Sequence, residues 1–194
     1  INVMAGYSYA DIADCGFSLN CCTKGDVNVA KNYLATLTNV LKSKIDFAYP
    51  KENTLEEALE KIKSLPKQDK PILLIEPADN IGGGTPGDAT DLLSRLLQSD
   101  HEGIVAIIND PAAVKECHHH QVGDEIELNI GAKFDDFHGS PIKLKATIQK
   151  LSDGKFTLEN KQSHLASMMG MNIDMGLSAV IKNKQLTLLL TSIK

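Results

Sequence analysis

Apolar positions along this chain recur at helical spacing up to about residue 122 and at two-residue spacing beyond it. Residues 1–4 read as a strand, and 18–23 as a second, short one. Asp26 is placed to cap a long helix. Ala30, Tyr33, Leu34, Leu37, Val40, Leu41 and Ile45 follow at three- and four-residue steps and make one stripe. Pro50 closes that region. Thr54 and Glu57 have capping-box spacing, so a second helix is expected, with Leu55, Ala58, Leu59, Ile62 and Leu65 on its apolar side and Pro66 as its stop. The unbroken apolar run at 71–75 predicts a strand covered on both faces, as in a parallel sheet. A glycine-rich loop follows. A helix then carries Ala89, Leu92, Leu93, Leu96 and Leu97 on one side, and 103–108 is another continuous apolar strand. Asp110-Pro111 reads as a cap followed by proline at the first helical position, and Gly123 is placed to end that helix.

Ile126, Leu128 and Ile130 alternate with polar residues, as do Ile142, Leu144, Ala146 and Ile148. Asp153-Gly154 is expected to be a hairpin turn leading into Phe156-Thr157-Leu158. Strands at 177–181 and 185–191 flank a polar turn at Lys182-Asn183-Lys184. The fold class predicted is α/β. A mixed sheet would have a parallel N-terminal part flanked by helices (1–122) and an antiparallel β-rich C-terminal part (123–194) packed on it. No repeat or long linker separates the two, so 1–194 is expected to be one domain. A chain that opens inside a strand and stops three residues after another is expected to be an internal segment of a longer protein.

Composition narrows the function classes. With 194 residues, 42% hydrophobic and 23% charged, the chain can bury one substantial core. A net charge of −5 gives no electrostatic reason to bind nucleic acid or an anionic membrane, and no apolar run reaches membrane-spanning length. Cys15, Cys21, Cys22 and Cys117 form no CxxC pair. They are expected to be buried, reduced thiols, which fits a cytoplasmic protein.

Residues 76–90 carry the most particular chemistry. Thr85 is a good N-cap, Pro86 suits the first helical position, and Asp88 has capping-box spacing to Thr85. Gly82, Gly83 and Gly84 cost roughly 0.5–1 kcal/mol each relative to alanine in regular structure, so unusual dihedrals or close backbone approach is expected there. Beside a helix N-terminus such glycines can form a nest of amide donors, at the sheet end where α/β proteins place ligands. A tight turn before a well-capped helix is the plainer reading of the same residues. The string is neither a Walker loop nor GxGxxG. Asp79, Asp88 and Asp91 disfavour a bare phosphate. They suit a site that orients a polar substrate, holds a metal-bound water or supports metal ligands.

The full string, Asp79-Asn80-x-Gly82-Gly83-Gly84-x-Pro86-Gly87-Asp88-x-Thr90 followed by Leu92-Leu93, resembles the C-terminal domain of the microcystinase C (MlrC-type) metallopeptidase family. Other parts agree in order. Gly6-Tyr7-x-Tyr9-Ala10-Asp11 and Gly16 resemble the family's opening, with Tyr9 where Trp is usual. Asp110-Pro111-x-Ala113-Val114 with Gly123, Gly131-x-Lys133 with His138-Gly139-x-Pro141, Asp174-Met175-Gly176-x-x-Ala179-Val180, and Thr191-Ser192 match further elements. Ala132 stands where a second family glycine is usual. The resemblance covers nearly the whole chain.

The resemblance implies a zinc-dependent hydrolase of peptide or peptide-like bonds, with zinc ligands, an Asp and His residues, in an N-terminal domain that this chain lacks. The partners implied are that domain and a small peptide-like substrate, and a homodimer is possible. Asp79 and Asn80 become the candidate catalytic residues of an inter-domain cleft. Gly82, Gly83, Gly84, Thr85, Gly87 and Asp88 become the candidate substrate-binding residues. No metal ligand is assigned within the chain, and it is expected to be inactive alone and to bind no zinc tightly. The alternative is a small anion- or carboxylate-binding module, or a dimerisation or packing domain, without chemistry of its own.

The remaining candidates read as structural. Consecutive His118, His119 and His120 on a helix point about 100° apart and cannot converge on one ion. His138, near Asp135 and Asp136, is expected to order its loop by a hydrogen bond. His164 lies in a segment with Met168, Met169, Met171 and Met175, which are expected to be apolar filling.

Overall fold

The computed structural model describes residues 1–6, 13–47, 51–66 and 69–194. Tyr7, Tyr9, Ala10 and Asp11 of the family-like opening, and Pro50, lie outside the described residues. The chain forms two compact units, Ile1–Pro71 and Ile72–Lys194.

In the first unit, β1 (Asn2–Met4) pairs antiparallel with β2 (Ser18–Asn20), and two helices follow, α1 (Val27–Ser43) and α2 (Leu55–Ser64). Asp26 caps α1 by accepting from the amides of Asn28 and Val29. Thr54 and Glu57 form the expected reciprocal capping box on α2. The predicted stripe of α1 is split. Ala30, Leu34, Leu37 and Leu41 are half-buried, whereas Tyr33, Val40 and Ile45 are exposed. Neither helix holds a fully buried residue.

The second unit is built on a five-stranded mixed sheet of order β3-β9-β8-β5-β4. Its strands are β3 (Ile104–Asn109), β4 (Glu125–Ile130), β5 (Ile142–Ser152), β8 (Ser178–Lys182) and β9 (Leu186–Thr191). Only β3 and β9 run parallel. One sheet face is inward. Ile126, Ile130, Ile148, Ile181, Leu188 and Leu190 are buried there, with Leu93 of α3 (Asp91–Leu97) and Val114 and Cys117 of α4 (Pro111–Cys117) in the same core. Each such aliphatic side chain contributes roughly 1.5–3 kcal/mol on burial, so the fold of this unit rests on that face. The opposite face is charged across β4 and β5, where Lys143 pairs with Glu127 at 2.8 Å and Lys145 with Glu125 at 2.5 Å. The Glu125 carboxylate holds the Lys145 ammonium above its usual range. A separate two-stranded sheet pairs β6 (Lys155–Thr157) with β7 (Asn172–Asp174), and α5 (His164–Met169) lies between them in sequence.

Several expectations are corrected. Residues 71–75 form no strand, and Ile72, Leu73 and Ile75 are exposed. The helix expected from Thr85 starts at Asp91 instead, with Thr90 before it making no side-chain cap bond. The α4 helix ends at Cys117, and Gly123 (φ +100°) serves the turn into β4. Asp153-Gly154 joins β5 to β6, but β6 pairs with β7, so this is no hairpin. Of the four thiols only Cys117 is buried, and burial raises its pKa to about 11; Cys22 is exposed. Met168 and Met169 are exposed rather than filling a core. No helix among the described residues is long and apolar enough to cross a membrane.

Candidate functional site

Residues 79–90 lie against the C-terminal end of β3, and backbone hydrogen bonds dictate their path. Asn80 opens a single 3-10 turn over Ile81–Gly83, its Oδ1 accepting from the Gly82 amide at 3.0 Å. The Gly83 amide donates to the Asn80 carbonyl at 2.7 Å, and the Gly84 amide to the Ile81 carbonyl at 3.0 Å. Gly84 ends the turn at φ +96°, a left-handed conformation that favours glycine. The three glycine amides are thus taken up inside the turn and form no outward-facing nest.

Asp79 clamps the far end of the loop. Its Oδ1 accepts from the Gly87 amide at 2.8 Å and its Oδ2 from the Ala89 amide at 2.7 Å. Both oxygens of the half-buried carboxylate are therefore engaged. Gly87 (φ +77°) packs so closely that a Cβ would stand 2.6 Å from Ile81 Cγ2. Its carbonyl accepts from the Asn109 amide at 2.8 Å, which ties the loop to β3.

Asp88 and Asp110 form the buried centre of this region. Asp88 is 1% exposed. Its Oδ2 accepts from the Lys133 amide at 2.7 Å and its carbonyl from the Ala132 amide at 2.7 Å, while Oδ1 has no partner in the protein. Asp110 caps α4 through the Ala113 amide, at 3.0 Å. Its second oxygen accepts from the Gly131 amide at 2.9 Å and the Lys133 ammonium at 2.6 Å. Asp88, Asn109, Asp110, Lys133 and the exposed Phe134 line a small cavity of about 200 Å³.

A second loop, 131–140, holds the same segment from the other side. The Thr90 amide donates to the His138 carbonyl at 2.9 Å and the Thr90 hydroxyl to the Ser140 carbonyl at 2.8 Å. His138 Nδ1 lies 2.8 Å from the Asp135 carboxylate, an ion pair when the imidazole is protonated. That carboxylate raises the His138 pKa, with Asp79 and the Ala78 backbone contributing further. The Phe137 amide, followed by the His138 imidazole, lowers the Asp135 pKa. Lys194 donates to the Gly84 and Thr85 carbonyls, at 3.3 and 2.8 Å.

The loop thus gathers the sequence candidates in one stretch of surface, but in unequal states. Asn80, Gly82, Gly83 and Gly84 are exposed, Asp79, Thr85 and Gly87 half-buried, and Asp88 buried. Thr85 is no helix cap, and its buried hydroxyl oxygen has no partner in the protein. Reading the residues gave Asp110 only a helix-capping role and left Lys133 and Thr90 without one. The signal that marks them is their position beside Pro111, Gly131 and Asp88 in the motif strings.

Among the described residues, no three His, Cys, Asp or Glu side chains gather as a metal site. His118 bonds the Ser178 carbonyl at 3.2 Å, while His119 and His120 both face Glu116, at 3.6 and 3.4 Å, so the three imidazoles share no common partner. Among the described residues, no set of side chains fits a zinc ion.

Against this geometry stand three comparisons. The family described as MlrC C-terminus matches residues 74–194. Microcystinase C of Sphingomonas sp. is 30% identical over 84 residues, which is 43% of this chain and 17% of that protein. A crystal structure of a "Putative metallopeptidase" from Mesorhizobium sp. BNC1 superposes with a TM-score of 0.68 at 22% identity, over 84% of this chain and 32% of that one. The matched region therefore spans less than a third of either relative.

Proposed function

Because the chain belongs to the family described as MlrC C-terminus, we propose that it supplies one wall of the active-site cleft of a metal-dependent hydrolase of peptide or peptide-like bonds. The observation that carries this reading is the double clamp of Asp79 on the Gly87 and Ala89 amides. A carboxylate given over to two backbone amides makes a firm loop, and firm positioning of a substrate is what a cleft wall contributes to a reaction.

In this proposal the loop binds and orients and does no proton transfer. Asp79 is a positioning residue, since each of its oxygens already holds a backbone amide of the loop. Asn80 and the exposed backbone of Gly82, Gly83 and Gly84 meet the substrate. Thr85, Gly87 and Asp88 hold that surface to β3 and to the Lys133 loop. The zinc belongs with an N-terminal domain contributing its own Asp and His ligands, and the substrate is a small peptide-like molecule. A cytoplasmic location agrees with the free thiols of Cys21, Cys22 and Cys117. A homodimer is compatible with this reading. Anion capture by the glycine amides finds no support, because those amides already have acceptors.

The test is peptide hydrolysis by the intact protein with added zinc, comparing wild type with Asp79→Ala. A fall in turnover is expected. Unchanged turnover in a folded variant would remove this loop from the reaction.

A further inference from the structure

A fixed positive charge sits on the loop. The Lys194 ammonium donates to the Gly84 carbonyl at 3.3 Å and to the Thr85 carbonyl at 2.8 Å. Two neutral acceptors hold it in place without cancelling its charge. Lys133 differs in this respect, because its ammonium is spent on the buried Asp110 carboxylate. Among the described residues, Lys194 makes no salt bridge, and its side chain is exposed. An ammonium has three donors, so one remains for a ligand.

Asn80, at the other end of the same turn, adds donors of its own. Its Oδ1 is taken by the Gly82 amide at 3.0 Å. Both N–H groups of its exposed side-chain amide have no partner among the described residues. The carboxylates of the segment are committed or covered. Asp79 holds the Gly87 and Ala89 amides, and Asp88 is 1% exposed. Glu76, where the segment starts, gives one oxygen to the Ala78 amide at 2.8 Å. The side-chain groups that a ligand meets at 80–85 are therefore an ammonium and an amide NH2, donors both. The net charge of −5 opposes an anion at long range. Salt screens charges beyond about 8 Å at physiological ionic strength, so the charge in contact decides.

We propose that Lys194, with Asn80 across the turn, selects substrates that carry a free carboxylate on the part of the molecule that meets the loop. This rests on the hydrolase reading. Lys194 is a specificity-determining residue and not a catalytic one. Its ammonium would hold the carboxylate alike in the ground state and the transition state, so it acts on KM and leaves kcat alone. An exposed ion pair of this kind is worth about two- to fivefold.

The experiment is hydrolysis by the intact protein with added zinc, using three forms of one short peptide. One has a free C-terminal carboxylate, one is the neutral C-terminal amide, and one is that amide with a glutamate in its sequence. Wild type is compared with Lys194→Gln and Lys194→Arg. In wild type, at least one acidic form is expected to exceed the neutral amide in kcat/KM by about two- to fivefold, through KM. Which of them does so tells whether a chain terminus or a side chain supplies the carboxylate. Lys194→Gln should bring the ratio to about one, and Lys194→Arg should keep most of it. Equal kcat/KM for all three forms in wild type would overturn the proposal, as would a preference that survives Lys194→Gln or one carried by kcat. Those results leave the hydrolase reading standing, since that reading is tested by Asp79→Ala. No hydrolysis of any form would remove the hydrolase reading and this inference with it.

Discussion

A methyl group added at Gly131 would stand 2.5 Å from Thr90 Cγ2 and 2.6 Å from the Asp88 carbonyl oxygen, on backbone at φ +68°. Steric conflict and left-handed strain act together there, so Gly131→Ala is expected to cost about 2–4 kcal/mol in urea unfolding. Asp79 offers the electrostatic counterpart. Removing an acceptor of two charge-assisted bonds on a half-buried group should cost about 2–3 kcal/mol for Asp79→Ala, and less for Asp79→Asn, which keeps one good acceptor. His138 adds a pH dependence. Its pKa lies above the usual 6.5 in the folded chain, so the stability it gives is complete below 6.5 and is lost as pH rises through the raised value. Asp135 is shifted the other way. Its contribution is complete above 3.8 and is lost as pH falls through the lowered value. The pair therefore holds its loop best between about 3.8 and 6.5. By NMR, His138 should titrate above 6.5, and Asp135→Asn should bring its midpoint down.

At the scale of elements, Asp110 joins α4 to the loop after β4. Asp110→Ala removes the α4 cap and leaves the Lys133 ammonium and the Gly131 amide without their acceptor. The loss in unfolding free energy should be about 3 kcal/mol or more, beyond the ~1 kcal/mol of a cap alone. The cap half of this was readable from Asp110-Pro111, as were the Asp26 cap and the Thr54–Glu57 box, because each is made by residues within three or four of one another. Elements whose limits depend on distant partners were not readable. Residues 71–75 have strand-like composition, yet no neighbour pairs with them. The string from Thr85 has a helix's opening residues, yet Asp79 and Asn109 take Gly87 and Ala89 into a different path. Asp153-Gly154 has hairpin chemistry, but β6 finds β7. The candidate loop was visible as a glycine string. Its bracing by Thr90, Gly131 and Lys133 is tertiary and left only scattered motif residues as a trace.

At the scale of the whole molecule, the unit Ile72–Lys194 carries both the buried core and the loop, and the family match at 74–194 falls within it. The match reaches only 17% of microcystinase C and 32% of the Mesorhizobium protein. What the unit can supply is a loop held firmly at the end of β3, with its exposed residues, Asn80, Ile81, Gly82, Gly83 and Gly84, turned to solvent. The proposed function has a peptide-like substrate meet those residues. Its most direct test is amide exchange across 79–88 in the intact, zinc-loaded protein, with and without a short peptide ending in a zinc-binding hydroxamate. Slower exchange at Gly82, Gly83 and Gly84 on adding the inhibitor is the predicted result. Inhibited enzyme with unchanged exchange throughout 79–88 would contradict it.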